Sequence, residues 1–122
     1  MADFRLSDLA KADIVEILSW TQERFGTKAR LRYERLLATA LWDVAAEPQR
    51  AGSVSRFELG ENVRSYHLRY SRDRARLENS IVRHPRHFLL YRVTNPDLIG
   101  IGRVLHDAME VERHLPAGYG DE

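Results

Sequence analysis

Cysteine is missing from all 122 residues, which excludes disulfides, cysteine-ligated zinc and iron–sulfur clusters. Lysine is almost missing: Lys11 and Lys28 are the two among 19 basic residues, and the rest are arginine. No apolar run approaches the ~20 residues a membrane-spanning helix requires. The start, Met1 to Arg5, lacks the basic-then-apolar pattern of a secretory signal. These absences lead us to expect a cytoplasmic chain with no membrane partner. No glycine-rich phosphate loop, His-Glu-x-x-His or Gly-x-Ser-x-Gly occurs, and no internal repeat is visible. The histidines His67, His84, His87, His106 and His114 are scattered, and His84/His87 is not a metal-ligand spacing with evident partners. No cofactor or metal is therefore expected.

What is present suits one small domain. At 43% hydrophobic the chain can bury a core, and at this length some apolar surface is left to a partner. The net charge of +1 hides an uneven layout. Residues 51–92 hold 9 arginines against 4 acids, and residues 93–122 hold 2 arginines against 6 acids. Two readings of the basic block stay open: contact with an acidic partner or nucleic acid, or a solvated face.

The pattern along the chain places a short edge strand at Phe4–Leu6, then Ser7 as a helix N-cap with Asp8 in the first turn. Helical periodicity through Leu9, Ile14, Ile17 and Trp20 runs to about Phe25, and Gly26 stops it. Thr27 is placed to cap a second helix, whose apolar face is Tyr33, Leu36/Leu37, Ala40/Leu41 and Val44, ending before Pro48. Gln49–Ser55 reads as a loop and Gly60–Asn62 as a turn. Val63–Tyr70 and Arg86–Val93 read as strands, and Asn95-Pro96-Asp97 turns the chain into Leu98–Leu105. Residues 71–85 are arginine-rich and read as a loop or short helix. Gly100 and Gly102, two apart, suggest a close approach on one side of the last strand. Asp107 is placed to cap a short final helix ending at Pro116. The expected fold is α+β: an N-terminal antiparallel helical hairpin on a small, mainly antiparallel three- to four-stranded sheet, with a short C-terminal helix. Residues 1–116 form the single domain and 117–122 a flexible tail.

This order, with certain residues, resembles the RelE/ParE toxin superfamily and within it the ParE family of type II toxin–antitoxin systems. The front carries Leu6-Ser7-x-x-Ala10-x-x-Asp13-Ile14-x-x-Ile17, Phe25-Gly26, then Ala29, Tyr33 and Leu37, with Pro48 and Gly52 in the following loop. The back carries Tyr91-Arg92-Val93 and Arg103-Val104-Leu105-His106-x-x-Met109. The stretch from Ser71 to Pro85 is longer than the usual link.

The resemblance implies a toxin that inhibits DNA gyrase and is neutralised by direct binding of a ParD-like antitoxin in a hetero-oligomer, with no direct nucleic-acid binding by the toxin alone. The RelE branch instead cleaves messenger RNA on the ribosome, which needs cationic and acid–base groups at the scissile phosphate. Where that branch keeps arginines, this chain has Phe88 and, at or near the second position, Asp107. The expectation is therefore a binding toxin and not an enzyme. The alternatives are a RelE-like endoribonuclease and a non-toxic interaction module on the same fold. Target contact is expected at Arg103, His106, Asp107, Met109 and Arg113, although for His106 the favoured reading is a structural histidine bonding the chain as it leaves the strand. The hairpin–sheet groove, with Tyr33, Leu37, Trp42, Arg64, Tyr66, Arg69 and Tyr70, is assigned to the antitoxin. Core packing is the favoured reading for Trp20, Leu37 and Phe88, while Trp42, Tyr33 and Tyr70 stay open between core and surface.

Overall fold

The computed structural model describes residues 3–108. They run β1 (Asp3–Leu6), α1 (Asp8–Phe25), α2 (Thr27–Ala46), β2 (Ser53–Ser55), β3 (Val63–His67), β4 (His87–Asn95) and β5 (Leu98–His106), with a 3-10 turn at Leu68–Ser71 after β3. The five strands form one sheet in the order β1-β5-β4-β3-β2, antiparallel throughout except that β1 lies parallel to β5. The helical hairpin covers one face. The α+β expectation holds, with five strands where three or four were expected. The final helix and tail, expected at residues after Asp107, lie outside the described residues.

Ser7 joins helix to sheet. Its hydroxyl accepts the Ala10 N–H at 3.0 Å and donates to the Gly102 carbonyl at 2.7 Å, so one side chain caps α1 and ties it to β5. Gly26, at φ 92°, closes α1 through its N–H to the Gln22 carbonyl and starts α2 directly. Thr27 is the first residue of α2 and not its cap; its hydroxyl accepts from the Gln22 amide at 3.0 Å.

The core lies between α2 and the sheet. Leu36, Leu37, Ala40, Leu41 and Val44 recur at helical spacing and pack on Tyr66, Leu68, Leu89, Tyr91, Ile99, Ile101 and Val104. A smaller cluster, Leu59, Val63, Leu90 and Leu105 with Phe88 against it, covers the other face. Both faces of β4 are therefore buried, and Leu89, Leu90 and Tyr91 read as a continuous apolar run.

A bulge sets the end of β5. Leu90 pairs with Arg103 but Tyr91 pairs with Ile101, which leaves Gly102 as the extra residue. The bulge changes the alternation, so that Val104 joins Ile99 and Ile101 on the helix side while Leu105 turns to the other face. The expected close approach is thus revised at Gly100. Gly102 is the bulge, and a Cβ at Gly100 would meet Thr94 Oγ1 at an ordinary 3.7 Å.

Two other expectations are corrected, and one left open is decided. The strand beginning at Val63 ends at His67, because the His67 Nδ1 accepts the Arg69 N–H at 3.1 Å and caps a 3-10 turn. Within the expected loop at Gln49–Ser55, Ser53–Ser55 pairs with β3 as the outer strand. Here Gly52 takes φ 96° and packs so closely that a Cβ would lie 2.5 Å from the Tyr70 ring. Of the two readings left open for residues 71–85, the loop is the one found: after the 3-10 turn ending at Ser71 the chain runs in turns. Leu77 and Ser80 exchange backbone hydrogen bonds around Glu78 and Asn79, both at positive φ. Arginines fasten this segment: Arg72 donates to the Arg83 carbonyl, Arg35 to the Arg76 carbonyl, and Arg74 pairs with Asp43.

Candidate functional site at one end of the sheet

Antiparallel register gathers the site. His67 ends β3 opposite Phe88, while His87 opens β4 opposite His106, the last residue of β5. Three histidines far apart in sequence therefore meet at one sheet end, with Arg86 and Asp107 flanking them and Tyr33 reaching in from α2.

Hydrogen bonds set the protonation pattern. The Tyr33 hydroxyl accepts the Arg86 N–H at 3.3 Å and shares a 2.6 Å hydrogen bond with His87 Nδ1, whose direction follows the His87 tautomer. Burial, with the Asp107 charge adding to it, pushes the Tyr33 phenol up to about 12. Burial, and then the neighbouring His106, push His87 down to about 4, so its imidazole is neutral at pH 7. His87 and His106 meet edge to face with ring centres 5.3 Å apart.

Asp107 draws the remaining groups together. Arg86 donates to Oδ1 through Nε at 3.1 Å and Nη2 at 2.9 Å, and His67 Nε2 lies 3.0 Å from Oδ2. Since His67 Nδ1 already accepts from Arg69, its neutral form carries the proton on Nε2, toward Asp107. Partial desolvation opposes ionisation of Asp107, but the bonds from His67 and Arg86 outweigh it and hold the carboxyl below its ordinary value. His106 does not join this bond: its Nδ1 stands 3.7 Å from Asp107 and accepts the Ala108 N–H.

Beside this cluster, Arg103 makes two bonds to Asp13 of α1, at 2.7 and 2.9 Å, and Asp13 also accepts the Val104 N–H at 3.0 Å. β1 pairs with β5 only as far as Ile101. Asp13 therefore satisfies the strand edge where the neighbouring strand stops, and it holds the Arg103 guanidinium above its already high ordinary pKa. A cavity of about 380 Å³ opens here between Asp13, Glu16, Trp20, Arg86, Arg103 and His106, with His87 also in its wall. A second, of about 630 Å³, continues past Trp20 between the hairpin and residues 80–87.

Of the residues assigned to target contact, Arg103, His106 and Asp107 come together here, and Met109 and Arg113 lie outside the described residues. The residues assigned to the antitoxin divide. Tyr33, Leu37 and Tyr66 are core residues, packed under the surface. Trp42 and Tyr70 are about half exposed; Trp42 stands edge-on to Phe4, and Arg69 lies over the Tyr70 ring. Arg64 crosses to β2, donating to the Ser53 hydroxyl at 2.7 Å. Leu37 is in the core as expected, and Phe88 is partly buried against the second cluster. Trp20 is not in the core: it is 50% exposed, because α1 turns this side of itself to solvent.

Sequence reasoning missed Tyr33–His87, Asp13–Arg103 and a buried network around Asp43. The Asp43 carboxylate accepts from Ser71 at 2.6 Å and pairs with Arg74 at 3.1 Å and Arg50 at 3.5 Å, while Ser71 also bonds Tyr66. One signal was available for this network, a carboxylate lying between Leu41 and Val44 on the apolar stripe of α2.

Two helices packed on one face of a five-stranded, mostly antiparallel sheet are consistent with the RelE/ParE-like toxin fold. The sequence model described as the ParE toxin of the type II toxin–antitoxin system, parDE, matches residues 4–111. Two relatives, each called Toxin ParE1, from Mycobacterium tuberculosis strains CDC 1551 / Oshkosh and ATCC 25618 / H37Rv, are 31% identical over 112 residues, 92% of this chain and 96% of theirs. The chain belongs to the ParE toxin family. No helix among the described residues is long and apolar enough to cross a membrane.

Proposed function

We propose that this toxin acts by binding DNA gyrase, that it does not cut RNA, and that a ParD-like antitoxin neutralises it by direct contact. The carrying observation is the pairing at the sheet end: Arg86 is bonded to Asp107 and Arg103 to Asp13. A phosphate arriving there meets carboxylates already holding the cations, and a neutral His87 between them. That arrangement suits a shaped, balanced surface better than a phosphoryl-transfer site, where unopposed cations must face the developing charge. Arg103, His106 and Asp107 then form the described part of the target surface, continued by Met109 and Arg113 in the sequence.

Induced expression tests this reading. A gyrase binder gives filamentation and accumulated cleaved gyrase–DNA complexes while protein synthesis continues. Cut transcripts and arrested synthesis would overturn it in favour of ribonuclease action. The ribonuclease reading has one observation on its side: His87 and His106 both line the 380 Å³ cavity, and two imidazoles side by side are acid–base equipment. Unimpeded growth on induction would sink both.

A further inference from the structure

We propose that the arginine-rich turns at residues 69–86 bind the phosphate backbone of duplex DNA without reading its sequence. Arg69, Arg72, Arg76 and Arg83 make the contact, with Arg35 of α2 beside them. This goes beyond the gyrase reading above, because it gives the toxin its own hold on the duplex that a gyrase carries. It also replaces the expectation that the toxin alone does not bind nucleic acid.

The first ground is unopposed charge. Residues 69–86 hold 6 arginines against 2 acids, Asp73 and Glu78. Asp43 takes up Arg74, and Asp107 takes up Arg86. Arg69, Arg72, Arg76 and Arg83, and Arg35 next to them, have no side-chain ion pair among the described residues. All of these but Arg72 are exposed, and Arg72 is partly so. Guanidiniums in excess of the nearby carboxylates leave a positive field, and a polyanion gains by releasing its counterions there.

The second ground is that these cations are held in place. Arg72 Nη1 donates to the Arg83 carbonyl at 2.9 Å, and Arg35 Nε to the Arg76 carbonyl at 3.2 Å. A carbonyl orients a guanidinium without cancelling its charge, so the other N–H donors are left for phosphate oxygens. The Arg72 N–H bonds the Arg69 carbonyl, and such a turn keeps its ends within about 7 Å. Arg69 itself lies over the Tyr70 ring, 4.8 Å from its centre. Side chains already ordered in this way lose less freedom on binding.

The third ground is what this surface has little of. Protein interfaces centre on apolar anchors, and single strands are held by stacking on aromatic rings. Between Ser71 and Arg86 no large apolar or aromatic side chain is exposed; Leu77, Ile81 and Val82 are partly buried. Tyr70, at the edge, has Arg69 across its ring. Arginines without such anchors suit a duplex backbone, which asks only for charge and hydrogen-bond donors.

The test uses the full chain and a labelled duplex of about 20 base pairs, with anisotropy followed from about 50 to 200 mM salt. The wild type should bind with an affinity that falls steeply as salt rises. The side chains of Arg76 and Arg83 make no hydrogen bond or ion pair among the described residues, so replacing them disturbs little. Arg76→Gln/Arg83→Gln should weaken binding about tenfold at low salt and lower the log–log salt slope by about 2. Arg5→Gln/Arg24→Gln removes equal charge from β1 and α1 and should leave the slope unchanged. Circular dichroism melts check that each variant is folded. No duplex binding by the wild type, or equal losses in the two double variants, would overturn the proposal. So would poly-glutamate competing as well as the duplex, which would make this a surface for acidic polypeptides. Duplex binding is read without gyrase, so its failure leaves the gyrase reading standing, and failure of that reading on induction leaves this result standing.

Discussion

The two helices of the hairpin differ more than their lengths suggest. α2 buries eight of its 20 residues, among them Leu36, Ala40 and Val44 with no exposure, while α1 buries only Ala10 and Thr21 of its 18. α2 lies over the middle of the sheet, against the strands with both faces covered. α1 lies toward the β5 edge, where it caps the strand through Ser7 and Asp13 and leaves Trp20 and Phe25 outside. One helix holds the fold and the other presents surface. A helix that buries little of its apolar side has that side available for a partner.

Four perturbations test this contrast. The largest effect is expected at the centre of α2, where Leu36→Ala leaves a cavity in the core and should cost about 3 kcal/mol in urea unfolding. The same truncation at Ile14, partly buried on α1, should cost less than half as much; equal losses would contradict the division of labour.

Next is the pH response of the sheet end that α2 reaches through Tyr33. His87 is held neutral to about pH 4, whereas in the unfolded chain it protonates near 6.5. Between those values the unfolded state binds a proton that the folded state refuses, so stability falls as pH drops from 6.5 toward 4, by up to roughly 3 kcal/mol. Asp107, held below its ordinary value, adds a loss in the same direction at still lower pH. His87→Asn, which keeps a hydrogen-bonding partner for the Tyr33 hydroxyl, should flatten the slope between pH 6.5 and 4. An unchanged slope would place the effect elsewhere.

A smaller loss is expected from Asp43→Asn. Ser71 keeps an acceptor, but Arg50 and Arg74 lose their charge partner; Arg74 is exposed enough to turn to water and Arg50 is less so. About 2 kcal/mol is expected, read by thermal unfolding. The smallest effect is Trp20→Ala on α1, which should change stability by no more than about 0.5 kcal/mol. A large loss of stability there would show that α1 holds the fold as α2 does.

Much of this architecture was readable before the structure. The Ser7 cap, the Gly26 stop, the apolar stripe of α2 and the Asn95-Pro96-Asp97 turn are local signals, decided by neighbours three or four residues away, and each appears where expected. β2 was missed because Ser53–Ser55 has no apolar alternation of its own. It is a strand only because β3 offers a free edge. The end of β3 was misplaced because the His67 cap competes with continued pairing, and a pattern of Tyr66, Leu68 and Tyr70 serves a strand or a 3-10 turn alike. Trp20 was placed inside because helical periodicity shows which residues share a face, not how far that face is covered.

The candidate site was less legible for the same reason. Nothing in the spacing of His67, His87 and His106 brings them together; the antiparallel register does. Nor does Asp13, ninety residues before Arg103, announce its partner. The sequence by itself determined the helices, the turns, the two-layer class and the family, because propensity, capping and apolar period are local properties that a chain carries wherever it goes. The tertiary structure alone decided which faces stayed open and which charges cancelled, because exposure and pairing depend on what lies alongside, and strand register and the bulge at Gly102 set that.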